Sequence, residues 1–408
     1  MLAQEVLDAP ALSSSCGKEH APTWSEARRL AFAFARPLGS ARVPLRDAIG
    51  RELASDVRAR QDIPHYASSA MDGWAINGSG PWTLVSSGTR LGHGEASLIV
   101  TGGLVPDGAA GILRKESGVA RGDGLLTLRP DAKAGETLPG RHVRPAGEEA
   151  TAGDVLIPAG TRLNPAHIAL AAVAGHDQLS VQRKPQVAVV LTGSEVVTSG
   201  NPAPGQVRDT FGPQLDTVIS QLGGTPAGQR RIGDSYGEWL AALSGSSADV
   251  IITTGGTGKS GTDHFRAVLA ALGGRLLVDG IAMRPGHPAV LAGLPDGRFV
   301  IGLPGNPLAA MVALQTLGEP LLAALGNGSL PEPAQLTSGA DFEPDHGRTR
   351  LIPCTLAHGL AIPVSHTGPG MMRGLAWADG LMAVPPEGLD AGQAVSVMPL
   401  PWTAPASH

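Results

Sequence analysis

Cysteine is nearly absent: Cys16 and Cys354 are the only two in 408 residues. A disulfide framework is thereby excluded, two thiols alone cannot complete a zinc site, and a reducing compartment fits. Aromatic residues make up 3% of the chain, too few for stacking platforms along a nucleic acid or for a bilayer belt. Charged residues stand at 16% and the net charge is −5, so the basic field of a general nucleic-acid binder is missing. No uninterrupted apolar run reaches the length of a membrane span, and no basic segment followed by a long apolar stretch opens the chain. These absences predict a cytoplasmic protein with neither a nucleic-acid nor a membrane partner.

Glycine and proline are plentiful, at 56 and 34 residues, so many turns and short elements are expected. The length implies roughly two to four domains. Thr23 and Glu26 sit at capping-box positions before a helix at 24–34, and a shorter helical stretch is expected at 45–54. From 62 to 149, short apolar runs at 82–85, 97–100 and 124–128 alternate with Gly, Pro and Asp, which predicts a β-rich domain. Asn164 and Pro165 then form a cap and first-turn pair for a second helix. If this helix packs on the first, the β domain is an insertion into a split helical domain, 23–61 plus 150–183.

Residues 184–328 alternate strand and helix, with strands at 186–191, 249–253 and 299–302 and helices at 212–222, 236–243, 264–272 and 307–325. The pattern predicts a doubly wound α/β domain with a parallel sheet and right-handed crossovers. Residues 329–408 return to a β-like, turn-rich text and are expected to form a small C-terminal β domain. The fold class is therefore α/β multidomain.

Four constellations carry chemistry. Thr253-Thr254-Gly255-Gly256-Thr257-Gly258-Lys259-Ser260-Gly261-Thr262-Asp263 lies between a strand and a helix, where glycine-rich backbone can turn its amides toward an anion. The plainer alternative is a tight turn capped by Asp263. Gly258-Lys259-Ser260 also matches the end of a P-loop, although Thr253 stands where the first glycine belongs. Leu303-Pro304-Gly305-Asn306-Pro307 is either a ligand loop at the carboxyl edge of the sheet or only an Asn cap with Pro at the first helical position. Glu195, Asp209, Asp234 and Asp263 place carboxylates along one edge, as a hard divalent cation shared with substrate phosphate would need. The fourth, 64–75, holds His65 and Met71-Asp72-Gly73-Trp74 where the chain enters the β domain; a lone histidine there is structural rather than chelating.

Taken in order, these segments, together with Arg284-Pro285-Gly286-His287-Pro288, resemble the molybdopterin molybdenumtransferase family, the molybdenum-insertion enzymes related to the C-terminal part of gephyrin. The resemblance runs over nearly the whole chain. It implies a molybdopterin-binding α/β domain and insertion of molybdenum from molybdate into adenylylated molybdopterin with release of AMP. It also implies Mg2+ as metal and a homodimer with a composite active cleft. Asp72, Thr101, Glu149, Glu195, Asp234, Asp263 and Arg284 occupy matching positions. The resemblance assigns magnesium and phosphate positioning to Glu195, Asp209 and Asp263. The pterin and phosphate cradle falls to Gly255, Gly256, Thr257, Gly258, Ser260, Pro304, Gly305 and Asn306, and charge neutralisation to Lys259, Arg284 and His287. Asp72 and Thr101 would come from the partner subunit.

The chain departs from the family pattern at Ser194, Phe211, Ala110, Arg284, His287 and Pro369, and in the run Thr257–Ser260. Arg keeps the charge of a lysine but not its geometry, and His287 is charged only part of the time near neutral pH. Two alternatives follow: a pterin-binding or scaffold relative with weakened turnover, and a P-loop-type nucleotidase. Turnover separates the first, and ATP hydrolysis dependent on Lys259 the second.

Overall fold

Val187, Val189 and Leu191 alternate with Ala188 and Val190 along one strand, yet nearly all are buried, because each face of that strand meets its own hydrophobic core. The computed structural model describes residues 21–257, 264–345 and 347–403. These divide into two compact units, one combining residues up to Gly39 with those from Arg183 onward, the other Ser40–Gln182.

In the first unit, helix α1 (Trp24–Ala33) precedes β1 (Gln186–Leu191), α2 (Leu215–Gln221), β2 (Thr225–Arg231), α3 (Tyr236–Ser244), β3 (Val250–Thr254), α4 (His264–Ala271), β4 (Arg275–Asp279), β5 (Val290–Gly293), β6 (Phe299–Leu303), α5 (Pro307–Ala313) and α6 (Glu319–Leu325). The sheet order is β2-β1-β3-β6-β5-β4. Strands β2, β1, β3 and β6 are parallel, in the register Val187↔Val250↔Phe299. Val250, Ile252 and Ile301 face the core that holds α2 and α5, while Ile251 and Val300 face α3 and α4. Helices on both faces make the sheet doubly wound.

The three strands expected from the sequence are parallel as expected; beyond them at one edge, β5 runs antiparallel to β6, and β4 antiparallel to β5. No helix lies between β4 and β5, so no crossover exists to return the chain in the parallel sense. The helix expected over 307–325 is real but changes to a π-helical turn at Leu314–Gly318 between α5 and α6. It is the one described helix long and apolar enough to cross a membrane, and 89% of its apolar window lies buried inside the protein.

Helix α1 starts as expected, with Thr23 and Glu26 forming both arms of a capping box. Its expected partner was the helix after Asn164. Instead its small residues Ala27 and Ala31 allow close approach to α6, within the core of the first unit. Arg28 on the same face is 4% exposed and pairs with Glu319 at 2.9 Å. A closed ring of strands Thr349–Ala357, Leu360–Pro363, Ala334–Ser338, Ala394–Pro399 and Gly380–Val384 follows in the same unit, closed by pairing of its first and last members. Cys354 lies fully buried in this barrel, and burial pushes its thiol up to about 12, so it is no nucleophile.

The second unit holds a six-stranded sheet, in spatial order Gly111–Arg114, Gly73–Ile76, Glu95–Ile99, Trp82–Val85, Leu125–Leu128 and Gly118–Ala120. Trp82 and Leu113 fill its core. The helix Pro165–Val173 is capped by Asn164 as expected, with His167 reaching back to complete the box. The stretch expected as a helix over 45–54 is helical only at Leu45–Ala48, where Ile49 leaves helical geometry.

Candidate functional site

In the first unit the chain leaves β1 to one side for β2 and returns to the other side for β3. The carboxyl ends of β1 and β3 therefore flank a switch point, where ligands bind in such sheets. A cavity of about 810 Å³ opens there. It collects Glu195, Asp209, Asp234, Gly255, Gly256, Gly305 and Asn306, drawn from three of the segments singled out by sequence.

Each group is placed by a local cause. The Thr192 hydroxyl donates to the Thr254 carbonyl, tying the turn after β1 to the turn after β3. Gly255 and Gly256 then adopt φ of +79° and +71°, the left-handed region that a side chain disfavours. Asn306 precedes Pro307 at the start of α5, but its side chain makes no capping hydrogen bond. The capping alternative thus fails for the side chain, which stays available to the cavity. Pro369 supplies the cap instead: its carbonyl accepts from Ala309 N–H at 3.1 Å, which sets Gly370 on the cavity wall. Pro369 has no hydroxyl to offer a ligand.

The carboxylates are not equivalent. Glu195 and Asp234 are exposed at the cavity, and no hydrogen bond from the described residues reaches their carboxylates. Asp209 is committed. Its Oδ1 accepts from Phe211 N–H at 3.0 Å and Gly212 N–H at 3.1 Å, and its Oδ2 lies 2.6 Å from Nη2 of Arg231. The structure thus commits Asp209, expected as a metal ligand, to two backbone amides and a guanidinium. Among the described residues no three Asp, Glu, His or Cys side chains converge on a metal-sized site. Sequence reasoning missed Arg231 altogether; it ends a strand of mixed polar residues with no motif around it.

Several expected members lie elsewhere. Thr257 is 3% exposed and packs its methyl toward Gly302, and Pro304 is buried behind the cavity wall. Arg284 is largely exposed, paired with Thr349–Arg350 of the barrel through the strand Met283–Arg284, with its guanidinium 3.9 Å from Asp345. His287 donates from Nδ1 to the Ile281 carbonyl at 2.7 Å. Neither lines the cavity. Gly258, Lys259, Ser260 and Asp263 lie outside the described residues.

In the second unit, Asp72 Oδ1 accepts from the Thr101 N–H at 2.7 Å and its hydroxyl at 2.9 Å. Those two bonds, backbone first, hold the Asp72 carboxyl below its usual range, with Lys115 adding to the pull. Glu149 is held through its N–H on the Ile63 carbonyl and lines no described cavity. Because the folded-state value of Asp72 is depressed, its contribution to stability is present above the unfolded carboxylate range and is lost as pH falls through the folded value. Thr101→Val keeps the N–H donor and removes the hydroxyl. The Asp72 titration, followed by carbon-detected NMR, is then expected to move part of the way back up; an unmoved titration would refute the hydroxyl's role.

A glycine turn, free carboxylates and a guanidinium at the switch point of a doubly wound sheet define a protein with a polar small-molecule site. Comparison with known proteins gives that class its family. The MoeA N-terminal region (domain I and II) matches residues 22–175, a probable molybdopterin binding domain matches 188–324, and the MoeA C-terminal region (domain IV) matches 335–400. A molybdopterin molybdenumtransferase of Nostoc sp. is 32% identical over 307 residues, spanning 70% of this chain and 69% of that one. Its Bacillus subtilis counterpart is 28% identical over 391 residues, spanning 87% and 89%. The crystal structure of a molybdopterin biosynthesis MoeA protein from Pyrococcus horikosii superposes with a TM-score of 0.73 at 28% identity, covering 93% of this chain and 99% of that one. The chain belongs to the molybdopterin molybdenumtransferase family, enzymes of molybdenum cofactor biosynthesis.

Proposed function

We propose that this chain inserts molybdenum from molybdate into adenylylated molybdopterin and releases AMP. The observation that carries the proposal is the convergence, in one cavity, of Gly255, Gly256, Gly305 and Asn306 with the uncommitted carboxylates of Glu195 and Asp234. The turns after β3 and β6 line the cavity, where the uncapped Asn306 amide is open to a hydrogen-bonding ligand. Magnesium typically takes one or two protein carboxylates and fills its remaining positions with water and substrate phosphate oxygens. Glu195 and Asp234 fit that donor set, and Asp263 belongs to the same proposal; Asp209 is held by Arg231. When bound, the ion would screen the phosphate charge as the phosphoanhydride is cleaved.

A homodimer with a composite cleft that draws on Asp72 and Thr101 of the second copy, and a cytoplasmic location, are parts of this proposal. The chain's own cavity groups bind and orient the substrate; Arg284 and His287, which face elsewhere, are not assigned to it. Purified protein incubated with adenylylated molybdopterin, molybdate and Mg2+ is expected to release AMP, read by chromatography, and to stop when magnesium is chelated. Binding without AMP release would replace the transferase by a pterin-binding relative.

A further inference from the structure

We infer that Arg231 is the phosphate-recognising group of the cavity and that Asp209 serves to aim it. The inference rests on the cavity being a nucleotide-linked site, as proposed above, and names the side chain that selects the ligand's phosphate. Three acids line the cavity, so an anionic ligand needs a compensating cation. Among the described residues the cavity offers Arg208 and Arg231. Arg208 is exposed, and its guanidinium's one hydrogen bond among the described residues, to the Val197 carbonyl, is long at 3.4 Å and fixes it weakly.

Arg231 is different. It ends β2, in register with Leu191 at the end of β1, so the sheet sets its root beside the switch point. Its side chain is 31% exposed and Nη2 is clamped on Asp209 Oδ2. A guanidinium carries five N–H donors in a rigid plane, and this is the one hydrogen bond that it makes among the described residues. The remaining donors suit the bidentate geometry of a phosphate. The Asp209 side chain is itself 8% exposed and locked by two backbone N–H groups, so the clamp is stiff. The carboxylate's own repulsion of an anion is blunted by the three donors it already satisfies. Asp209 is thus a positioning residue and Arg231 a binding residue.

Titration calorimetry with AMP, inorganic pyrophosphate and adenosine tests this without any turnover. Arg231→Met is expected to weaken AMP and pyrophosphate by roughly 10- to 100-fold, the range for hydrogen bonds to a charged group. Adenosine, which lacks the phosphate, should bind both proteins alike. Arg231→Lys should recover part of the loss, since charge remains but the fork does not. Asp209→Asn keeps the acceptor for Phe211 and Gly212 and presents an amide to Arg231; it should weaken AMP several-fold and raise KM with kcat unchanged. AMP binding by Arg231→Met within twofold of wild type, equal losses for adenosine, or no AMP binding by wild type would overturn the inference; tighter AMP binding by Asp209→Asn would overturn the aiming role. Arg231-dependent AMP binding in a protein that never releases AMP would sink the transferase proposal and leave the fork standing.

Discussion

Replacing Arg28 by methionine is expected to destabilise the α/β unit by about 3–5 kcal/mol, the usual cost of removing one partner from a buried ion pair. Methionine preserves most of the side-chain stem, so packing is not the main loss. The guanidinium reaches the carboxylate of Glu319 at 2.9 Å, the carbonyls of Gln315 at 3.0 Å and Pro331 at 2.6 Å, and Met398 Sδ at 3.1 Å. Four acceptors, two from the long helical segment and two from the chain beyond it, thus depend on one guanidinium. Burial already pushes the Glu319 carboxyl above its ordinary range, and Arg28 only partly offsets this. A carboxyl with a raised folded-state value adds stability below its unfolded value and loses it as pH rises through the folded value. Without Arg28 the rise is larger, so the deficit of the variant should be greatest at neutral pH and should shrink as pH falls toward the ordinary carboxyl range. Urea unfolding at two pH values, followed by fluorescence of Trp24 beside Arg28, measures it. An unchanged midpoint at neutral pH would remove the ion pair from the account of stability.

Gly256→Ala should cost turnover at least about 100-fold, the scale of loss when reacting groups shift by an ångström. The backbone there has φ +71°, which costs an ordinary residue roughly 1–2 kcal/mol. The added methyl would also stand 2.9 Å from Cζ2 of Trp239. That indole is 2% exposed and braced edge-on against Phe265, with ring centroids 5.7 Å apart, so it cannot yield. The turn must move instead, and with it the cavity wall that Gly255 and Gly256 form. Gly305→Ala is the contrast: its methyl meets nothing nearer than 3.9 Å and its φ is not left-handed, so the melting temperature should not fall. The measurement is kcat/KM for AMP release with melting curves alongside. Full activity in Gly256→Ala would show that the turn does not shape the site.

Much of the fold was legible because its causes are local. Thr23 with Glu26, and Asn164 with Pro165, announce helix starts within four residues of chain. The runs at β1, β3 and β6 read as buried strands because both faces are covered, and a continuous apolar run reports that directly. The antiparallel edge was not legible: Arg275 and Leu276 of β4 are exposed, and only pairing with β6 orients β5 and so β4. The partner of α1 was invisible for a similar reason. An alanine-lined face states that another element comes close, without saying which.

The sequence by itself determined which loops reach the carboxyl edge of the sheet, and so that Glu195, Asp234, Gly255, Gly256, Gly305 and Asn306 would share one neighbourhood. The alternation of strand and helix that puts these loops at one edge is written in the chain. Only the tertiary structure decided which charges are spent and which are free. Asp209 and Glu195 look alike as loop acids, yet one is saturated by two amides and a guanidinium 22 residues away, while the other faces the cavity uncommitted. Hydrogen-bond saturation depends on distances of a few tenths of an ångström between groups far apart in sequence, and no local pattern encodes it.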